Sequence, residues 1–186
     1  MKQNHSKLWI ITGGPGSGKT TLIKALNHQG FTTVPEEGRR IIKEQMDSGG
    51  EGLPWMNKRL FADMMFEASL QTYQTMIETD DMRPVFFDRG IPDSIGYLKL
   101  ENIPISKEME LKAKEMTYNN NVLILPPWKE IYENDQERKQ TFETAILTFE
   151  QMKKVYGDYG YHLIEIPKDT IENRMRCILD IVQSKA

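Results

Sequence analysis

Cysteine is almost absent from this chain of 186 residues: Cys177 stands alone, so no internal disulfide can form, and a reducing, cytoplasmic setting is expected. His5, His28 and His162 complete a set too sparse and too scattered for a zinc site, and none has a sequence neighbour that suggests catalysis. Long apolar runs are missing too. The aliphatic stretch Val122 to Leu125 falls far short of the ~20 residues a membrane span needs, so no crossing is expected. The apolar run behind Lys2 and Lys7 covers only Leu8 to Ile11, too short for a signal-peptide core, and the first residues read as a short frayed tail. Neither sign of charge dominates, since 24 Lys and Arg against 27 Asp and Glu leave a net charge of -3. No overall field draws in nucleic acid or an anionic membrane, so an anion site has to be local. No repeat, low-complexity tract or linker divides the chain, and one domain with a real core is expected.

What is present is an alternation of strands and helices. Leu8 to Ile11 is apolar on both faces, as a buried parallel strand requires. Leu22, Ile23, Ala25 and Leu26 then recur at helical spacing up to Gly30, and Phe31 to Val34 follows as strand two. The pattern predicts a helix over 37–47, a loop at Ser48-Gly49-Gly50-Glu51, and a long helix from Trp55 to Thr79 whose apolar side carries Leu60, Phe61, Met64, Met65, Ala68, Met76 and Ile77. Its methionines read as core filling. Strand three is Val85-Phe86-Phe87, followed by a helix opened by Pro92 and running to Leu100. A helix over 106–118 leads to strand four, Val122 to Leu125, which Pro126 and Pro127 end. Lys129 to Gln140 is almost wholly polar and reads as a flap hinged on the next helix, marked by Phe142, Ala145, Ile146 and Phe149. Strand five, Tyr161 to Ile166, and a helix carrying Ile171, Met175, Ile178, Leu179 and Val182 complete an α/β chain with a five-stranded parallel sheet.

Between strand one and the first helix lies Gly13-Gly14-Pro15-Gly16-Ser17-Gly18-Lys19-Thr20, followed by Thr21. This G-x-x-x-x-G-K-[ST] pattern sits where its chemistry demands, on the turn from a buried strand into a helix. Its glycines let successive N–H groups face one anion. Lys19, expected at a solvent-facing loop end, reaches the β and γ oxygens of a nucleoside triphosphate such as ATP, and the Thr20 hydroxyl ligates Mg²⁺.

Two other strand ends carry polar groups into the same crevice. Asp88 is placed to hold Mg²⁺, directly or through water, or to orient an acceptor, and Arg89 to grip a phosphate or an acceptor; the alternative is a helix cap with a surface ion pair. Asp93 is divided between favouring the helix start and touching the acceptor. Strand two runs into Pro35-Glu36-Glu37-Gly38-Arg39-Arg40, where Glu36 is the candidate general base and Arg39 a candidate substrate contact. The plain alternative makes Glu36 and Glu37 first-turn helix charges. In the polar flap, Arg138 and Lys139 are the cations able to close over a γ phosphate, Arg138 as the catalytic one.

Taken together, the glycine loop, Glu36-Glu37-Gly38-Arg39, Phe86 to Asp93, Pro126-Pro127-Trp128, Arg138 with Phe142 and Ala145, and Gly160 to Pro167 resemble a family of small ATPases filed with the AAA type. That family's pattern is similar to P-loop nucleoside and nucleotide kinases, including ribosylnicotinamide kinase domains. The resemblance implies a three-layer, kinase-like P-loop NTPase fold with strand order 2-3-1-4-5. It also implies an acceptor pocket between the strand-two turn, the helix at 55–79 and Asp88-Arg89, and a lid over 129–139. Strand four runs into Pro126-Pro127-Trp128 and lacks the Asn-Lys-x-Asp element of guanine-specific switches. The leading expectation is transfer of the γ-phosphoryl group of ATP, with Mg²⁺, to a small-molecule acceptor. The rival is a nucleotide-dependent binding or regulatory ATPase.

Overall fold

The computed structural model describes residues 6–79, 81–132 and 141–185. Within them, β1 (Leu8–Gly13), β2 (Thr32–Val34), β3 (Val85–Asp88), β4 (Asn121–Leu125) and β5 (His162–Glu165) form one sheet in the order β2-β3-β1-β4-β5. Every neighbouring pair is parallel, as the resemblance implied. The helices are α1 (Lys19–His28), α2 (Glu37–Ser48), α3 (Lys58–Ile77), α4 (Ile91–Leu100), α5 (Lys107–Glu115), α6 (Phe142–Asp158) and α7 (Ile171–Lys185), with a 3-10 turn at Lys129–Ile131.

The three central strands, β1, β3 and β4, are apolar on both faces because both faces are covered. Leu8, Ile10, Val85, Phe87, Val122 and Ile124 point to one side, where Phe66 and Leu70 of α3, Ile95 and Leu98 of α4, and Phe149 and Met152 of α6 pack on them. Trp9, Ile11, Phe86, Leu123 and Leu125 point to the other, under Leu22 and Leu26 of α1 and Ile178 and Val182 of α7. Burying each side chain of this size contributes about 1.5–3 kcal/mol, and the period-two alternation locks the register, since a slip of one residue would exchange the two faces.

Several expected boundaries shift for local reasons. The long helix starts at Lys58, since the Asn57 side chain caps it by accepting from the Leu60 N–H at 3.0 Å, leaving Trp55 and Met56 in the preceding turn. Leu60, expected on the apolar stripe, is exposed. β1 runs two residues past Ile11, because Thr12 and Gly13 pair with Ile124 and Leu125. Ser106 caps α5, which stops at Glu115, so that Tyr118 drops into the core. Arg138 and Lys139 lie outside the described residues, as does most of the expected lid.

A parallel sheet brings its carboxyl ends to one edge. Here Gly13, Val34, Asp88 and Leu125 share that edge, which is where such sheets bind ligands.

Candidate functional site

The glycine loop bridges β1 and α1. Gly18 precedes the helix at φ +82°, and Gly16 turns the loop at φ +68°, conformations that cost glycine nothing and other residues a penalty. Space is also filled at both: a Cβ on Gly16 would collide with the Tyr132 ring, and one on Gly18 would lie 2.7 Å from Nη1 of Arg174. The Ser17 hydroxyl and Lys19 Nζ each donate to the Gly14 carbonyl at 2.9 Å. Lys19 is therefore only 5% exposed, contrary to the solvent-facing position expected of it, because the folded loop turns this carbonyl inward as its acceptor. Thr20 and Thr21 stand exposed in the first turn of α1. No side chain caps this helix and no acidic residue lies in its first turn, so its N–H groups and dipole are left for an anion.

Beside the loop, β3 delivers Asp88 and then Arg89, whose N–H continues the ladder to the Ile11 carbonyl at 3.0 Å. Arg89 adopts φ +74°, a strained conformation for an arginine that the surroundings hold in place. Its Nε donates to Glu36 Oε1 at 3.2 Å and its Nη1 to Asp93 Oδ1 at 3.1 Å. The ion pair thus runs to Glu36 and Asp93, across the crevice, and not to Asp88 at the surface. Burial opposes the charge of Arg89, yet Glu36, Asp93 and Asp88 together raise its pKa above the usual arginine value.

Asp93 is engaged on all sides. Besides Arg89, Oδ1 accepts from the Thr12 hydroxyl at 2.5 Å, while Oδ2 accepts from Tyr156 at 2.5 Å and from the Gly90 N–H at 2.9 Å. The two adjacent glutamates divide. Glu37 accepts from Thr72 of α3 at 2.6 Å and from Arg40 at 2.7 Å, tying α2 to α3. Glu36, its side chain 8% exposed, faces Arg89 and has Arg39 Nε 3.4 Å from its other oxygen.

Asp88 differs from its neighbours. It is 5% exposed and its Oδ1 has no hydrogen-bond partner. Burial first, then the nearby Glu36 charge, push its pKa up to about 6, while Lys19 and Arg89 pull the other way. An unpartnered buried carboxylate oxygen close enough to Lys19 to feel its charge fits a cation ligand. Among the described residues no group of three or more His, Cys, Asp or Glu is placed to hold a metal ion.

Glu36, Glu37, Asp88, Arg89 and Asp93 open on one cavity of about 520 Å³, within the range of small-molecule sites. Pro15 of the loop, Glu36, Asp88 and Arg89 line one end; Phe61 and Met65 of α3, Tyr97 of α4 and Trp55 line the rest. Met65 is thus a cavity wall and not plain core filling. Phe61 and Tyr97 meet edge to face, 5.5 Å between ring centres. Among the described residues, each cation of the lining faces a carboxylate: Lys58 lies 2.5 Å from Glu101, and Arg89 holds Glu36 and Asp93. The sequence reading missed Thr12, Tyr156 and Arg174. For Arg174 a signal was available, a lone charge within the apolar stripe of Ile171, Met175, Ile178 and Val182.

No helix among the described residues is long and apolar enough to cross a membrane. The chain matches none of the curated proteins searched. Its fold is similar to that of a NadR protein in complex with NR (TM-score 0.72, 19% identity), covering 97% of this chain and 52% of that one. The chain thus spans about half the length of that relative. It is also similar to a deoxyadenosine kinase from M. mycoides (TM-score 0.61, 13% identity, 95% and 99% of the two chains). A thymidylate kinase from Candida albicans aligns likewise (TM-score 0.63, 14% identity, 96% and 91%). These likenesses establish a kinase-like P-loop fold, the architecture of phosphotransferases and ATPases. Residues 8–174 match the family described as AAA domain, so the chain belongs to that family of P-loop proteins.

Proposed function

We propose that the protein is a phosphotransferase that moves the γ-phosphoryl group of ATP onto a hydroxyl of a small acceptor carrying no phosphate of its own. One observation carries this reading: Glu36, Asp88 and Arg89 converge on a cavity that begins at the phosphate loop and continues between aromatic walls. Phosphoryl transfer asks a protein mainly for positioning and charge stabilisation. The loop amides and Lys19 hold the triphosphate, Lys19 exchanging the Gly14 carbonyl for phosphate oxygens. Asp88 and Thr20 hold Mg²⁺, which neutralises charge on the phosphates when bound. Glu36 accepts the proton of the attacking hydroxyl. Asp93 fixes Arg89, and Arg89 fixes Glu36, so the base arrives oriented.

The choice of acceptor follows from charge. An acceptor bearing phosphate needs cations to receive it, and here Arg89 and Lys58 already face carboxylates. With Phe61, Tyr97 and Trp55 for a flat apolar body, the cavity suits a neutral or cationic hydroxyl compound of nucleoside size. Similar folds that accompany NR and a deoxyadenosine kinase support this class. The test is ADP release with Mg²⁺-ATP across nucleosides, polyols, amino alcohols and nucleoside monophosphates. Stimulation by phosphate-free hydroxyl compounds is expected. A response to monophosphates alone would overturn the acceptor class, and none from any compound would favour the regulatory ATPase.

A further inference from the structure

The first turn of α7 buries an arginine that no carboxylate among the described residues answers. Arg174 is 1% exposed. Its Nη2 donates to the Ser17 carbonyl at 3.0 Å, and its guanidinium lies over the Trp128 ring, 5.6 Å from the centre. Its Nε and Nη1 are buried without a hydrogen-bond partner, and Nη1 is the atom nearest the position a Gly18 Cβ would take. Buried guanidinium donors are ordinarily satisfied, and a buried charge is ordinarily paired. Burial lowers the pKa of Arg174, with no anion among the described residues opposing it. The fold therefore holds an uncompensated positive charge against the two residues that lead the phosphate loop into α1.

We infer that Arg174 is a ligand of the nucleotide's phosphate chain, supplying from α7 a charge that the glycine loop and Lys19 do not provide. The inference rests on the reading of the loop as a triphosphate site. The Ser17 carbonyl and the Trp128 face hold the planar guanidinium at fixed orientation, leaving two N–H groups for phosphate oxygens. An arginine suits this place better than a lysine, because its fork keeps one arm on Ser17 while another reaches the anion. Trp128, half buried just after the prolines that end β4, supplies the stacking surface.

The experiment measures Mg²⁺-ATP and inorganic tripolyphosphate binding by calorimetry to the wild-type chain and to Arg174→Gln, which keeps an amide donor for Ser17 and removes the charge. Both ligands should bind about 10- to 100-fold more weakly, by the same factor, as loss of a charge-assisted contact predicts. In the wild-type chain, the Arg174 guanidinium N–H resonances should move on adding tripolyphosphate, a readout that needs no folded variant. Equal affinity in wild type and variant, or unmoved resonances on saturation, overturns the assignment while the loop reading stands. A loss confined to ATP also overturns it, because the arginine would then be reading the base. Failure of both ligands to bind the wild-type chain removes this inference and the triphosphate reading together.

Discussion

Replacing Asp88 by asparagine should make the unliganded protein more stable. Its carboxylate is 5% exposed, lacks a partner for Oδ1, and has its pKa pushed up to about 6 by burial and by Glu36. Against the usual aspartate range this corresponds to about 3 kcal/mol held against the ionised form. The folded value is raised, so the stability tied to the protonated group is fully present below about pH 4, declines as pH rises, and is lost above about pH 6. Asparagine has the same shape and no charge. The gap between Asp88→Asn and wild type should therefore be near zero at pH 4 and reach its full size by pH 7. At about 2–4 °C per kcal/mol for a chain of this length, that is a gain of roughly 6–12 °C in Tm. Thermal denaturation followed by circular dichroism in EDTA, from pH 4 to pH 8, measures it. Mg²⁺-ATP should reverse the order, because a cation converts the unpaired carboxylate from a burden into a ligand, and the variant should gain less from it. A variant no more stable than wild type at pH 7.5, or a gap that does not close on acidification, would refute the reasoning.

Glu36→Gln should lower acceptor-dependent turnover by roughly 100-fold or more with ATP affinity little changed, as steady-state kinetics would record; equal losses in both make Glu36 structural. Lys19→Ala should abolish nucleotide binding in calorimetry. By removing the contact with Gly14 it should also cost about 1 kcal/mol of stability. Gly16→Ala should be destabilised by roughly 1–3 kcal/mol in denaturant unfolding, from its left-handed φ and the Tyr132 ring. Tyr156→Phe, which takes one donor from buried Asp93, should cost about 1–3 kcal/mol, visible as a lower denaturant midpoint.

The glycine loop was legible in the sequence because its chemistry needs contiguous residues: strand, turn, lysine and helix stand in one run of the chain. Glu36, Asp88 and Arg89 were legible as candidates for a related reason, since a parallel sheet delivers the ends of its strands to one edge. Their pairing was not. Arg89 turns to Glu36, 53 positions away, and Asp93 collects Thr12 from 81 positions upstream and Tyr156 from 63 downstream. No periodicity encodes such meetings, which depend on the packing of α4 against α6 and β1. The start of α3 was marked by Asn57, a cap that the apolar pattern of Trp55 and Met56 overrode in reading. Arg174 shows the same blindness in reverse: a helical stripe counts apolar positions and passes over the charged one, although Arg174 sits between Ile171 and Ile178 on the buried side of α7.

One oxygen, Oδ1 of Asp93, accepts from Thr12 and from Arg89 at once. Thr12 precedes the glycine loop directly, and Arg89 holds Glu36 at the cavity. The loop and the cavity are therefore joined through one carboxylate oxygen, in addition to the electrostatic contact of Asp88 with Lys19, Glu36 and Arg89. A shift of β1 at this oxygen would reach the guanidinium, and a pull on the guanidinium would reach β1. Linkage requires the traffic to be equal in both directions: the factor by which a bound acceptor alters nucleotide affinity is the factor by which nucleotide alters acceptor affinity. With valine at position 12 this hydrogen bond is lost, and the effect of each ligand on the other's affinity should shrink.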